Sequence, residues 1–100
     1  MKSPFPKDTY EKNAEVYKLL ANPIRLEILN ILKSGEASVD ELTRILGIRK
    51  PNVSQQLSLL RNTHLIKMRK NGLSVYYSIV DPGIVKPCKI LHDLRAARLI

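Results

Sequence analysis

Ser38–Arg61 reads SVDELTRILGIRKPNVSQQLSLLR, and the meaning of the whole chain turns on it. Ser38 and Glu41 stand at the spacing of a capping box, where each side chain satisfies a free backbone N–H at the start of a helix. Leu42, Ile45 and Leu46 then supply the inward face of that helix. Gly47 falls where the chain must turn. Pro51 suits the first turn of a second helix, where its missing N–H costs nothing. Val53, Leu57 and Leu60 recur at i, i+4 and i+7 and fix a buried stripe. The outer side carries Lys50, Asn52, Ser54, Gln55 and Gln56, and the helix should stop near Asn62 or Thr63. Residues 38–63 therefore read as a helix-turn-helix whose second helix is built to enter a DNA major groove.

The residue types on that second helix suit base edges. Asn52, Gln55 and Gln56 donate and accept at once, and a glutamine amide matches the adenine edge. Arg49 and Lys50, at the mouth of the helix, can read guanine or hold phosphate. Ser54 is small enough to let the backbone approach. A polar helix face can also be no more than solvated, so the neighbouring segments matter.

Downstream, LIKMRK and LSVYYSI flank Asn71-Gly72, a dipeptide that favours a type I′ hairpin turn with positive φ at both central residues. Leu73, Val75, Tyr77 and Ile79 alternate with Ser74, Tyr76 and Ser78, as in a half-buried strand. Residues 65–80 are thus expected to form a two-stranded wing. Two strands alone are marginal, so the hairpin must pack on the helices, with room for a short third strand near Ala37. Lys67, Arg69, Lys70 and Asn71 lie close to the tip and would meet phosphates or the minor groove. Lysines on an exposed edge also discourage aggregation. Asp81-Pro82-Gly83 is a break. A last helix over 84–99 carries Ile84, Val85, Cys88, Ile90, Leu91, Leu94 and Leu99. Pro87 requires it to begin near Lys86 or after a short turn.

Upstream, Asn22-Pro23 is a helix start, an N-cap followed by proline at N1. Ile24, Leu26, Ile28, Leu29, Ile31 and Leu32 run nearly all round this helix, which must be buried on many sides; Gly35 ends it. Tyr10, Ala14, Val16, Tyr17, Leu19 and Leu20 suit a first helix over 7–20. Residues 1–6, with two prolines, are expected to be a loose arm.

One hundred residues make one domain, 1–100. An apolar share of 44% argues against disorder. Seventeen basic and nine acidic residues leave a net charge of +8, and the pI is near 9.9. Charge alone does not name a partner, but beside a docking helix it points to double-stranded DNA. The single cysteine rules out an intrachain disulfide. No segment has the apolar core of a leader or a membrane span, so a cytoplasmic protein without a membrane partner is expected. The chain shows no Gly-rich phosphate loop, no His–Cys pair and no HExxH, so no enzyme and no cofactor are expected. The fold class is mainly α with a small β-hairpin: about five helices and a wing, in winged helix-turn-helix order.

The segments ANPIRLEILNIL (21–32), SVDELTRILGI (38–48), NVSQQLSLLRNTHLIKMRKNG (52–72) and VYYSI (75–79) resemble the ArsR/SmtB family of small prokaryotic winged-helix repressors. The resemblance covers nearly the whole chain. It implies a homodimer held by the first and last helices, with Tyr10, Tyr17, Ile90, Leu91 and Leu94 at the interface. It also implies binding to an inverted-repeat operator and repression that an inducer relieves. Dimerisation has its own argument, because the last helix has more apolar residues than a small monomer can easily cover, and two-fold DNA sites call for two-fold proteins.

Many such repressors sense metals, and this sequence departs from them. Ser38 and Asp40 stand where one site has a Cys-x-Cys pair, so soft thiolate ligands are missing. For the site on the last helix, Asp81 matches one ligand, but Gly83, Leu94 and Ala97 replace the others and His92 is out of phase. One carboxylate is not a zinc site, and no metal is expected. Cys88 could make a thiol-responsive sensor, although a buried cysteine is inert without activation. An interfacial pocket for an unknown inducer, or a winged-helix scaffold that docks a protein and not DNA, are the other readings the sequence allows.

Overall fold

The computed structural model describes residues 1–100. Five α-helices run as α1 (Lys7–Leu20), α2 (Pro23–Lys33), α3 (Val39–Leu46), α4 (Lys50–Asn62) and α5 (Lys86–Ala96). Three short strands are interleaved, β1 (Ala37–Ser38), β2 (Ile66–Asn71) and β3 (Ser74–Ile79), and a 3-10 turn over Pro82–Val85 leads into α5. No helix is long and apolar enough to cross a membrane.

Local chemistry sets the boundaries. The Asn22 side chain accepts from the amides of Ile24 and Arg25, and Pro23 follows in the first turn of α2. The Ser38–Glu41 capping box is complete in both directions: the Glu41 amide donates to Ser38 Oγ at 3.1 Å and the Ser38 amide to Glu41 Oε1 at 3.2 Å. Gly47 ends α3 at φ 67°, a left-handed conformation open to glycine at little cost.

The core is one cluster of buried apolar side chains. Ile28, Leu29 and Leu32 of α2 meet Leu42 of α3, Val53, Leu57 and Leu60 of α4, and Ile66 of β2, with Ala37, Val85 and Leu20 at its edges. The nearly all-apolar α2 lies at the centre, and none of Ile24, Leu26 or Ile31 is exposed. No buried side chain in this cluster is polar. Ile45 departs from the expected inward set. It is exposed on α3, while Leu42 is fully buried and Leu46 half-buried. A helix of eight residues gives one narrow stripe to the core, and Ile45 lies off it.

The sheet has the order β1-β3-β2 and is antiparallel throughout. The wing hairpin is therefore joined by a third strand, Ala37–Ser38, which pairs with Tyr77 and Tyr76. Its turn sits one residue later than the Asn-Gly dipeptide suggests. Asn71 pairs with Ser74, so Gly72 and Leu73 are the central residues. Only Gly72 has positive φ, at 64°. That is the type II′ pattern, which needs glycine at the first central position alone. Leu73 is thereby lifted out of the strand and stands fully exposed at the tip. The last helix is shorter than 84–99: Ile84 and Val85 belong to the 3-10 turn, and α5 stops at Ala96. Residues 1–6 hold no regular structure, but they fold back on α1. Ser3 Oγ lies 2.7 Å from the Tyr10 hydroxyl, and the Phe5 ring meets Tyr10 edge-on.

Candidate nucleic-acid interface

α4 presents two unlike sides. Val53, Leu57 and Leu60 are buried, whereas Lys50, Ser54, Gln55, Ser58 and Arg61 are exposed. Their spacing at i, i+4, i+8 and i+11 from Lys50, with Gln55 beside Ser54, makes one continuous polar ridge. Arg49 is the N-cap of α4 and makes no side-chain capping bond; its carbonyl accepts from the amides of Asn52 and Val53, and Pro51 has no N–H, so only the Lys50 amide is left open. Lys50 reaches back to Asp40 at 2.9 Å and ties the starts of α3 and α4 together. Both partners are more than half exposed, so this pair orients Lys50 more than it stabilises the fold.

Asn52 and Gln56 do not lie on the ridge. Both are half-buried on its flank. Gln56 Nε2 donates to Asn52 Oδ1 at 3.0 Å, and Gln56 Oε1 is buried without a partner. With one lone pair of its oxygen engaged, Asn52 keeps its two amide donors and one acceptor site. The two amides act as a coupled pair on the flank, and Ser54 and Gln55 are the ones left free on the ridge. Ser58 joins them there, whereas Arg61 turns toward the wing and its Nη1 donates to Met68 Sδ at 2.7 Å. The serine follows Ser54 by one helical turn, a spacing that was available in the sequence.

Between the wing and the start of α3 lies a groove of about 320 Å³ whose lining includes Asp40, Ser74 and Tyr76, and of the ridge only Lys50 reaches it. Alternation along β2 places Lys67, Arg69 and Asn71 on one face and Lys70 on the other. Lys67, Lys70 and Asn71 are exposed, and neither lysine takes part in an ion pair. Arg69 is differently placed. Its Nε and Nη2 donate to the two carboxylate oxygens of Glu36 at 3.0 and 2.5 Å. Its guanidinium also sits 4.9 Å from the Tyr76 ring centroid. The bond from Arg69 holds the Glu36 carboxyl below the usual glutamate range, and Glu36 raises Arg69 in turn. Glu36 escapes a reading of the sequence because its contact joins residues 33 positions apart, and Tyr76 because it stands opposite Arg69 only in the register that pairs Asn71 with Ser74.

On α1 and α5, Tyr10, Tyr17, Ile90 and Leu91 are exposed and Leu94 is half-buried. α1 buries only Leu20, and α5 buries nothing. The solvent-facing side of α5 carries Lys89, Asp93 and His92, where the bond from Lys89 chiefly holds Asp93 below its usual range. Cys88 is a free, half-buried thiol on the same helix. No three His, Cys, Asp or Glu side chains come together as a metal-holding group.

Comparison with known proteins fits this geometry. Residues 22–68 match the sequence profile of the bacterial regulatory protein, arsR family. The chain is 38% identical over 88 residues to the HTH-type transcriptional regulator Rv0081 of Mycobacterium tuberculosis, covering 87% of this chain and 77% of that protein. It is 32% identical over 85 residues to the biofilm growth-associated repressor of Xylella fastidiosa, covering 85% of this chain and 75% of the relative. The Rv0081 crystal structure superposes with a TM-score of 0.76 at 33% identity, over 98% of this chain and 95% of the other. The homodimeric winged helix-turn-helix DNA-binding domain of Mb0332 from Mycobacterium bovis gives a TM-score of 0.80 at 26% identity, over 97% and 93%. The capped α3, the polar ridge of α4 and the basic wing thus come together in a chain that belongs to the arsR family of bacterial regulatory proteins.

Proposed function

We propose that the protein is a sequence-specific DNA-binding transcriptional regulator, a homodimeric repressor that occupies an inverted-repeat operator in the cytoplasm. The observation that carries this reading is the polar ridge of α4, backed by Val53, Leu57 and Leu60 and flanked by a basic wing. In the bound state Lys50, Ser54, Gln55 and Ser58 face base edges, with the Asn52–Gln56 pair at the wall of the groove. Arg49, with the one unengaged amide of Lys50 at the start of α4, suits a phosphate. Lys67, Lys70 and Asn71 follow the backbone of the neighbouring turn and position the protein without reading sequence.

Dimerisation places two such ridges on one duplex. The uncovered apolar side chains Tyr10, Tyr17, Ile90, Leu91 and Leu94 on α1 and α5 are the surface that a second copy would cover. Repression then needs no further chemistry, since a dimer seated on promoter DNA occludes polymerase. The named relatives support the same role, one of them being a repressor.

The test is to select duplexes from a random library with the purified protein, then titrate the winner and a scrambled control across salt. A preference of about 10³ or more, with affinity falling steeply as salt rises, is the expected result. Equal weak binding to both duplexes would remove sequence-specific recognition and leave only a basic surface.

A further inference from the structure

Arg69 looks like a phosphate ligand by sequence, yet the fold commits it elsewhere. In the order β1-β3-β2, Arg69 pairs across to Tyr76, and Tyr76 pairs across to Ser38. The three stand in one row on one face of the sheet. Glu36 lies two residues before Ser38, at the entrance to β1. To reach it the guanidinium passes over the Tyr76 ring, 4.9 Å from its centroid, and gives one N–H to each carboxylate oxygen. Only a planar fork on a long stem can stack and chelate at once.

We propose that Glu36, Arg69 and Tyr76 form a brace that fixes the pitch of the wing against the recognition helix. Glu36 is its positioning residue and keeps Arg69 out of the set of side chains that grip phosphate. The inference rests on the DNA-binding reading for its consequence, though not for its geometry. β1 is only two residues long and ties the hairpin to the helical body through two residue pairs. The base of the wing is also held by Ile66, Tyr77 and Ile79 on the core, and a strut from the α2–β1 connection over the central strand to the edge strand adds an attachment nearer the tip. Moving Arg69 to a phosphate would exchange one bidentate anion for another. It would also leave the Glu36 carboxylate bare beside a polyanion, which like-charge repulsion disfavours. Lys67 and Lys70, outside every ion pair, are then the free cations of the wing.

The experiment compares the wild type with R69Q, R69K and E36Q, using a duplex selected from random sequence and its scrambled control. The readouts are the affinity ratio of the two duplexes and the slope of affinity against salt. A brace predicts that all three variants lose several-fold in the ratio, because a mis-pitched wing costs register. R69K belongs with R69Q, since charge without the fork cannot stack and chelate. R69Q should leave the salt slope unchanged. If R69Q instead flattens the slope by about 0.9 for each protomer bound and weakens both duplexes alike, Arg69 holds a phosphate and the proposal fails. A ratio restored by R69K, or untouched in E36Q, overturns it as well. Should the wild type select no duplex, the regulatory reading falls by itself, and the brace is still decided in the free protein. The Glu36 carboxyl, followed by NMR, should titrate below the ordinary glutamate range in the wild type and return to it in R69Q. Ordinary titration in the wild type overturns the brace whatever DNA does.

Discussion

Gln55 is the clearest single test of the ridge, because it is exposed, makes no intramolecular hydrogen bond and carries both a donor and an acceptor. Gln55→Ala should weaken binding to the selected duplex by about 1–3 kcal/mol and relax discrimination at one base pair. Titration against single-base variants of that duplex checks both effects, and an undiminished preference at every position would take Gln55 off the base edge. Gln56→Ala is a different experiment. Its Oε1 is buried without a partner, and its Nε2 holds Asn52. The variant removes an unsatisfied acceptor and frees the Asn52 amide, so its effect on recognition passes through Asn52. Glu36 adds a pH dependence. Its carboxyl is lowered mainly by the hydrogen bond from Arg69. A depressed carboxylate contributes stability above its unfolded value, and that contribution is lost as pH falls through the folded value. The Glu36 share should therefore fade from about 4.5 downward and be absent in R69Q, as denaturation at stepped pH would show.

At the scale of elements, what the sequence made legible was local. The capping box, Asn22-Pro23 and the 7–20 and 38–63 helical spans depend on residues within one turn of each other, and the structure forms each of them. Ser38→Ala should accordingly cost about 0.5–2 kcal/mol, measured by chemical denaturation, since the Glu41 amide at the start of α3 loses its acceptor. A cost near zero would mean that water replaces the cap without loss. Features that depend on strand pairing were less legible. Asn71-Gly72 suits a turn in two registers, and the pairing of Asn71 with Ser74 selects the one in which only Gly72 needs positive φ. Ile45 was misplaced because a short helix leaves its periodic stripe underdetermined. The Glu36–Arg69 contact needed the strand order before it could be seen at all. The ridge of α4 was legible in part: the buried stripe fixed its direction, but the flank position of Asn52 and Gln56 follows from how deeply α4 sits between α3 and the sheet.

For the whole molecule, the decisive fact is how little of it is buried. Eleven side chains form the core. The radius of gyration is 15.5 Å, where a compact chain of 100 residues has about 13 Å, and the extents are 55 by 33 by 21 Å. α1 and α5 project from the winged-helix body with Tyr10, Tyr17, Ile90 and Leu91 uncovered. A second copy covering these side chains is the dimer proposed above, and an inverted-repeat site calls for its two ridges to lie roughly 34 Å apart, one DNA turn. Leu91→Glu places a charge in that surface without touching the core, since Leu91 is 44% exposed and absent from the buried cluster. The variant should sediment as a folded monomer where the wild type is a dimer. The wild type should also melt at a temperature that rises with protein concentration, and the variant should not. Operator affinity should fall steeply in the variant, because each half-site must then be filled separately, while weak binding to a single half-site persists. A Leu91→Glu protein that remains dimeric and binds the full site unchanged would move the interface away from α5. A monomeric variant that still binds the full site as tightly would show that one ridge suffices.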